Sequence, residues 1–324
     1  MQILLISGFL GAGKTTFIKE LIKRTDKRPV IMENEYGANN LDSLELQNAS
    51  SKESDIKVLE FMEGCVCCTM KDSFVNSVLA IFSSLDPEYL IIEPTGVGKL
   101  SSIIENLKPV LNKVIFLLQP TVVISPLSFR QNMKEWPELY TDQIANAGRV
   151  VFSKCENADT DEIKKVTEEI RQINSKAEII SEHYSKMDDK WWDSLFQTEL
   201  TGDGAVGLTH DNGDGTKAMT VSDETESGSS EVFSQVSIQK AGVHNPTQLV
   251  QLLEDCLRGE FGLVSRAKGT LWVGSEILRF DLADSMYAVT DSPDDNCQCV
   301  FIGKNLDEKK LKDRLIGSSR RTLK

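Results

Sequence analysis

The sequence predicts an α/β protein: a mostly parallel sheet covered by helices on both faces, followed by a small α+β domain. Three observations predict it. Short β-branched runs alternate with helical stretches over residues 1–199, the pattern of a parallel sheet with helical crossovers. Residues 200–230 then lose almost all large apolar side chains, and from 231 to 324 a shorter patterned stretch resumes. A chain of 324 residues also exceeds what one core usually fills, since single cores stop growing near ~250–300 residues.

Taken in order, residues 3–7, 30–33, 56–61, 89–93, 122–125 and 150–153 read as strands, and 15–23, 72–82 and 161–173 as helices. The stretch 201–230 carries six glycines among Asp, Ser and Thr. It has too little apolar surface to offset its ordering entropy and reads as a flexible acidic linker. Beyond it, 232–238 alternates like a strand and 246–257 reads as a helix. Residues 271–273, 277–282 and 287–290 resemble meander strands, and 299–302 precedes a helix at 308–315. Trp272 and Phe280 read as core residues of this second domain.

The net charge of −13 argues against nucleic acid or an anionic membrane as the main partner. The first seven residues are apolar but lack a basic leader, so no signal peptide is expected. No run reaches the ~18 apolar residues that span a bilayer. Seven cysteines without a secretory leader point to thiol or metal chemistry and to the reducing cytoplasm.

Gly8-Phe9-Leu10-Gly11-Ala12-Gly13-Lys14-Thr15 fits the P-loop pattern G-x-x-x-x-G-K-[ST], between an apolar strand and a helix. Its backbone N–H groups and the helix end converge on one phosphate anion. Lys14 is then placed for the β and γ phosphates and Thr15 for Mg²⁺, with Gly8, Gly11, Ala12, Gly13 and Thr16 completing the cradle. The run Leu90-Ile91-Ile92 ends in Glu93 before Pro94-Thr95-Gly96. Glu93 is a magnesium candidate and the Gly96 N–H a γ-phosphate sensor; alternatively, Glu93 merely caps its strand.

Gly64-Cys65-Val66-Cys67-Cys68 puts three thiols within four positions at a strand-to-helix turn. Three readings fit: a soft-metal site, a redox pair, or buried structural cysteines. As a metal site, Cys65, Cys67 and Cys68 leave a tetrahedral ion one ligand short, and Glu35, Glu63 or a partner protein is a candidate fourth. Cys297-Gln298-Cys299 is a weaker pair of the same kind, and the three histidines are scattered.

With these residues in view, the chain resembles the CobW-type family of P-loop GTPases, relatives of the metallochaperones HypB and UreG. The resemblance rests on Gly8–Thr16, Glu33-Asn34-Glu35-Tyr36-Gly37, Gly64–Cys68, Glu93–Gly96 and Asp142-Gln143-Ile144-Ala145. It continues in Arg266-Ala267-Lys268-Gly269-Thr270-Leu271-Trp272-Val273 and Val300-Phe301-Ile302-Gly303. It implies GTP hydrolysis coupled to delivery of a transition metal, zinc or cobalt, with Cys65, Cys67 and Cys68 binding the metal and the switch around Glu35 linking it to the nucleotide. Where the family usually carries Asn-Lys-x-Asp for guanine, this chain has Ser153-Lys154-Cys155-Glu156. Glu156 can accept from guanine N1 and N2 and the Lys154 stem can cover the ring, but Ser153 replaces the amide. Guanine and adenine therefore both stand as base choices.

The expected function is an NTP-hydrolysing protein that uses GTP and Mg²⁺ to deliver Zn²⁺ or Co²⁺ to a client metalloprotein, with a nucleotide-dependent homodimer as a further expectation. The alternatives are a GTPase that assists assembly of a corrinoid or other metalloenzyme without carrying metal, a thiol-redox module, and a P-loop small-molecule kinase. The kinase often needs a lid arginine, and the sequence shows no arginine cluster placed for it.

Overall fold

The computed structural model describes residues 1–34, 57–61, 71–156, 158–200, 233–292 and 297–319. The first sheet contains β1 (Gln2–Ser7), β2 (Val30–Asn34), β3 (Val58–Phe61), β4 (Tyr89–Glu93), β5 (Phe116–Leu117), β6 (Thr121–Ile124), β7 (Arg149–Phe152) and β8 (Glu178–His183). Their order is β3-β2-β4-β1-β6-β7-β8, with β5 also on β1, and every pairing among them is parallel.

The central strands are apolar along their whole length because both of their faces are covered. On β1, Ile3 and Leu5 enter one core while Leu4 and Ile6 enter the other. Leu90 and Ile92 of β4 side with Ile3, and Ile91 sides with Leu4. The sequence reading places the six main strands within two residues of their observed ends. It misses β8, an edge strand whose Glu-Ile-Ile-Ser-Glu-His run is too polar to stand out. It also misses four helices, Leu100–Leu107, Phe129–Glu135, Pro137–Ala145 and Asp189–Ser194.

The second sheet contains β9 (Ser234–Gln239), β10 (Gly242–Val243), β11 (Leu263–Val273), β12 (Glu276–Ala283), β13 (Met286–Asp291) and β14 (Gln298–Lys304). Its order is β13-β12-β11-β14-β9, antiparallel throughout, with the short β10 added parallel to β11. Helices Pro246–Leu257 and Glu308–Ser319 share a core with one face of it, through Leu249, Leu253, Leu311 and Leu315 against Phe280 and Phe301. Phe280 is buried as expected, but Trp272 is 46% exposed and is no core residue. Strand alternation turns Trp272 to the face opposite the helices, at the far end of β11.

The opposite face of this sheet is not left to solvent. Val300 and Ile302 of β14 belong to the core of the first domain. Phe233 stacks on Trp136 with ring centroids 4.0 Å apart, and Phe9, inside the glycine loop, lies 6.3 Å from the same ring. The expected linker falls almost wholly on residues 201–232, outside the described residues. No helix among the described residues is long and apolar enough to cross a membrane.

Candidate functional site

The glycine loop joins β1 to α1 (Lys14–Arg24) at the carboxyl edge of the first sheet, where β4 and β6 flank β1. Gly13 caps α1 in the left-handed region at φ 91° and brings no side chain to the helix end. The first turn of α1 holds no acid, so its N–H groups and positive dipole end are available to an anion. Lys14 is buried and curls back over the loop, its ammonium donating to Gly8 O at 3.0 Å and Phe9 O at 3.3 Å.

The Thr15 hydroxyl donates to both carboxylate oxygens of Glu93, at 3.0 and 3.3 Å. A hydroxyl from α1 and a buried carboxylate from β4 thus meet beside the loop, a pair of hard oxygen donors of the kind that suits Mg²⁺. The sequence reading names both residues and the structure brings them together. Gly96 crosses directly over the loop: a Cβ there would lie 2.5 Å from Leu10 N. Gln143 holds this crossing in place, donating to Gly98 O at 3.1 Å and Gly96 O at 3.4 Å. Asp142, next to it, accepts from Ser101 N at 3.1 Å and from the Ser101 hydroxyl at 2.5 Å. The motif Asp142-Gln143 therefore anchors the loop after Glu93 and the helix that follows, a role its sequence did not disclose.

Ser153 spends its hydroxyl on the loop itself, donating to Ala12 O at 2.6 Å. Lys154, in left-handed backbone at φ 51°, pairs with Asp284 of the second domain at 2.6 Å. Glu156 is exposed and meets His183 Nε2 at 3.2 Å. The three base-site candidates are thus close in sequence but engaged by three different neighbours.

Glu35, Cys65, Cys67 and Cys68, and with them Glu63, lie outside the described residues. Among the described residues no three His, Cys, Asp or Glu side chains gather as a metal site. Cys299 is fully buried in the second core, its Sγ 3.6 Å from Thr270 O, and burial pushes its thiol pKa up. That surrounding suits packing rather than metal or redox chemistry.

Over the loop lies a cleft of about 530 Å³. Its walls include Lys14, Thr15 and Glu93 from the first domain and Arg266, Arg279 and Asp281 from the second.

Residues 2–181 match the CobW/HypB/UreG nucleotide-binding domain, and residues 233–317 match the cobalamin synthesis protein cobW C-terminal domain. The chain belongs to the CobW/HypB/UreG family. Similar proteins include the zinc-regulated GTPase metalloprotein activator 1 of Schizosaccharomyces pombe, 25% identical over 194 residues, which are 58% of this chain and 47% of that protein. The zinc chaperone CobW of Sinorhizobium is 26% identical over 196 residues, 53% of this chain and 55% of that protein. The match spans about half the length of these two relatives. The zinc chaperone YjiA of Escherichia coli K12 is 23% identical over 334 residues and covers 98% of each chain. Among solved structures, Zn(II)-bound YjiA GTPase from E. coli aligns at 19% identity with a TM-score of 0.43 over 98% of each chain.

Two features of this family member go beyond the roles read from the sequence. Glu33 lies one residue before the end of β2 and Glu93 ends β4; the two are register partners in the sheet, and both are buried. Side chains of register partners on adjacent strands ~4.8 Å apart point the same way, so a second carboxylate stands beside the first. The signal was present, since Val30-Ile31-Met32-Glu33 repeats the pattern of Leu90-Ile91-Ile92-Glu93. The second feature concerns arginines: the sequence shows no cluster placed for a kinase lid, and Arg266 and Arg279 stand in the cleft over the loop. They lie some 250 residues downstream, and only strand pairing and domain packing bring them there.

Proposed function

We propose that this chain hydrolyses GTP and uses the hydrolysis to hand a transition-metal ion, zinc or cobalt, to a client metalloprotein in the cytoplasm. The observation that carries the reading is the joint between loop and sheet edge. Thr15 and Glu93 meet at the carboxyl end of β4, while Asn34 and Phe61 are register partners at the ends of β2 and β3, next in the sheet. The chain runs from Asn34 straight to Glu35, and from Phe61 only four residues on to Cys65. Four residues reach at most about 14 Å. Both candidate metal-binding segments thus follow β2 and β3, the strands next to and next but one from β4 in the sheet, which supports a cargo site coupled to the nucleotide.

In this reading the N–H groups of residues 11–16 hold the phosphates, and Lys14 neutralises the β and γ oxygens. Thr15 and Glu93 would hold Mg²⁺, which when bound would supply charge neutralisation to the phosphates. Ser153 steadies the loop through Ala12 O, and Lys154 and Glu156 are the candidate contacts to the base. The Gly96 N–H is the γ-phosphate sensor, and Gln143 supports that role by holding its loop. Cys65, Cys67 and Cys68, with Glu35, hold the cargo ion as thiolates and a carboxylate. Loss of the γ-phosphate frees the segment that carries Glu35, so the cargo loses a ligand and leaves.

The test is metal analysis of reduced protein kept anaerobic, loaded first with GDP and then with a non-hydrolysable GTP analogue. One ion per chain with the analogue, released with GDP and absent in Cys67→Ala, supports the proposal. A reduced protein that binds no metal in either state, yet hydrolyses GTP, leaves a GTPase without cargo and sinks the delivery reading.

A further inference from the structure

The second sheet has two chemically different faces. On β11, Arg266, Lys268 and Thr270 share one face, and the ladder sets Ala283, Asp281 and Arg279 of β12 directly opposite them. The intervening Ala267, Leu271, Phe280 and Leu282 fill the core beneath the helices. The charged face is therefore not needed for the second domain's own packing. It is turned toward the first domain, because Val300 and Ile302, register partners of Lys268 and Arg266, enter the first domain's core.

This face is pinned on the phosphate loop. A Cβ on Gly11, at φ 76°, would lie 2.6 Å from the Ala283 Cβ, so loop and strand are in direct contact. One residue further, Asp284 pairs with Lys154 at 2.6 Å. Lys268 is buried and close enough to Glu33 and Lys14 to feel both charges, which places the face at the Lys14 end of the loop. Arg266, 3.6 Å from Asp281, and Arg279 line the same cleft as Lys14 and Thr15. The cleft wall carries five cationic side chains against two carboxylates, a surplus of three positive charges in a chain whose net charge is −13. Such a local reversal of sign matches a polyanion.

We propose that Arg266 and Arg279 bind oxygens of the nucleotide's terminal phosphate, so that the second sheet forms one wall of the nucleotide site. The inference rests on the GTP reading above and deepens it. A guanidinium presents a fork of N–H donors that matches phosphate geometry, and Asp281 holds that of Arg266 toward the cleft. The nucleotide then bridges the domains, and the second domain distinguishes triphosphate from diphosphate.

The test uses the full-length chain and measures affinity for GDP and for a non-hydrolysable GTP analogue, GTP hydrolysis, and the melting temperature without nucleotide. The variants are Arg266→Ala, Arg279→Ala and Arg279→Lys, with Lys312→Ala, in the helix Glu308–Ser319 and outside the cleft lining, as control. Loss of one charged hydrogen-bonding partner predicts roughly tenfold or greater weakening of the GTP analogue for each alanine variant. GDP affinity and the nucleotide-free melting temperature stay near wild type, and Lys312→Ala changes nothing. Arg279→Lys, which keeps charge and stem, shows a smaller loss of the same GTP-selective kind and serves if the alanine variants misfold. Equal weakening of both nucleotides, a fall in melting temperature alone, or parity of Arg279→Lys with wild type overturns the inference and makes the arginines structural. A wild-type chain that binds no GTP removes the nucleotide reading and this inference with it; one that binds GTP while the arginine variants match it removes only the inference.

Discussion

Replacing Gly96 by alanine tests whether the loop after Glu93 and the glycine loop act as one unit. The added Cβ would lie 2.5 Å from Leu10 N, 2.8 Å from Phe9 C and 2.9 Å from Leu10 Cα, where ordinary contacts begin near 3.4 Å. All three atoms are backbone, so no side chain can swing away, and one of the two loops must retreat by about 0.9 Å. Overpacking of this kind costs about 1–3 kcal/mol of stability, so the variant still folds. The functional effect is larger, because a displacement near 1 Å at a reacting centre can cost roughly 100-fold in rate. Steady-state GTP hydrolysis should therefore fall about two orders of magnitude while circular dichroism keeps the wild-type spectrum. A Gly96→Ala enzyme that hydrolyses GTP at the wild-type rate would refute the close crossing and the γ-phosphate role built on it.

Other outcomes follow from the same geometry. Gln143→Ala removes the side chain that donates to Gly98 O and Gly96 O, and should cost about 1–3 kcal/mol in chemical denaturation while lowering hydrolysis in the same direction as Gly96→Ala. Ser153→Ala leaves Ala12 O without its 2.6 Å donor; it should raise the KM for GTP several-fold with little change in kcat, as read by steady-state kinetics. Phe233→Ala removes the ring stacked on Trp136 and should destabilise the chain by about 3 kcal/mol, seen as a lower thermal midpoint. Burial lowers the Lys268 pKa from 10.5 to about 8. The unfolded chain binds the extra proton between those values, so this lysine opposes folding fully below about pH 8 and the opposition fades as pH rises toward 10.5. Lys268→Met should accordingly gain stability over wild type at pH 7 and lose that advantage by pH 10, measured by urea unfolding.

The first domain was legible because its strands are buried on both faces and its punctuation is strong. Leu90-Ile91-Ile92 cannot be anything but interior, and a glycine loop between such a strand and a helix has one common structural meaning. Strand β11 was legible only at its end. Its first eight residues include Arg266, Ser265 and Lys268, which break the apolar run that marks a strand. Those same polar residues are informative once the sheet is known: alternation with Ala267 and Leu271 says that one face is dry and the other meets something charged. Period-two patterning gives the face and not the neighbour, so the sequence carried the chemistry of Arg266 without its address.

The same distinction separates the parts of the site. Lys14, Thr15 and Glu93 were identifiable because each sits at or just beyond a strand's carboxyl end in a fixed local order, and parallel strands deliver those ends to one edge. Glu33 required a further step, that β2 lies beside β4 although the chain visits β3 between them. Arg279 required domain packing, which depends on Val300, Ile302 and Phe233 fitting a hydrophobic surface built by Trp136 and Phe9. Those contacts are non-directional and individually weak, so no short motif encodes them. The consequence is testable within the protein: anything that loosens the aromatic contact at Phe233 should also weaken triphosphate binding, although that ring lies outside the charged cleft. Phe233→Leu, which keeps an apolar side chain and shortens only the stack, should show this loss of GTP affinity without loss of GDP affinity. If its GTP affinity equals wild type, the second sheet is a neighbour of the nucleotide site and not a wall of it.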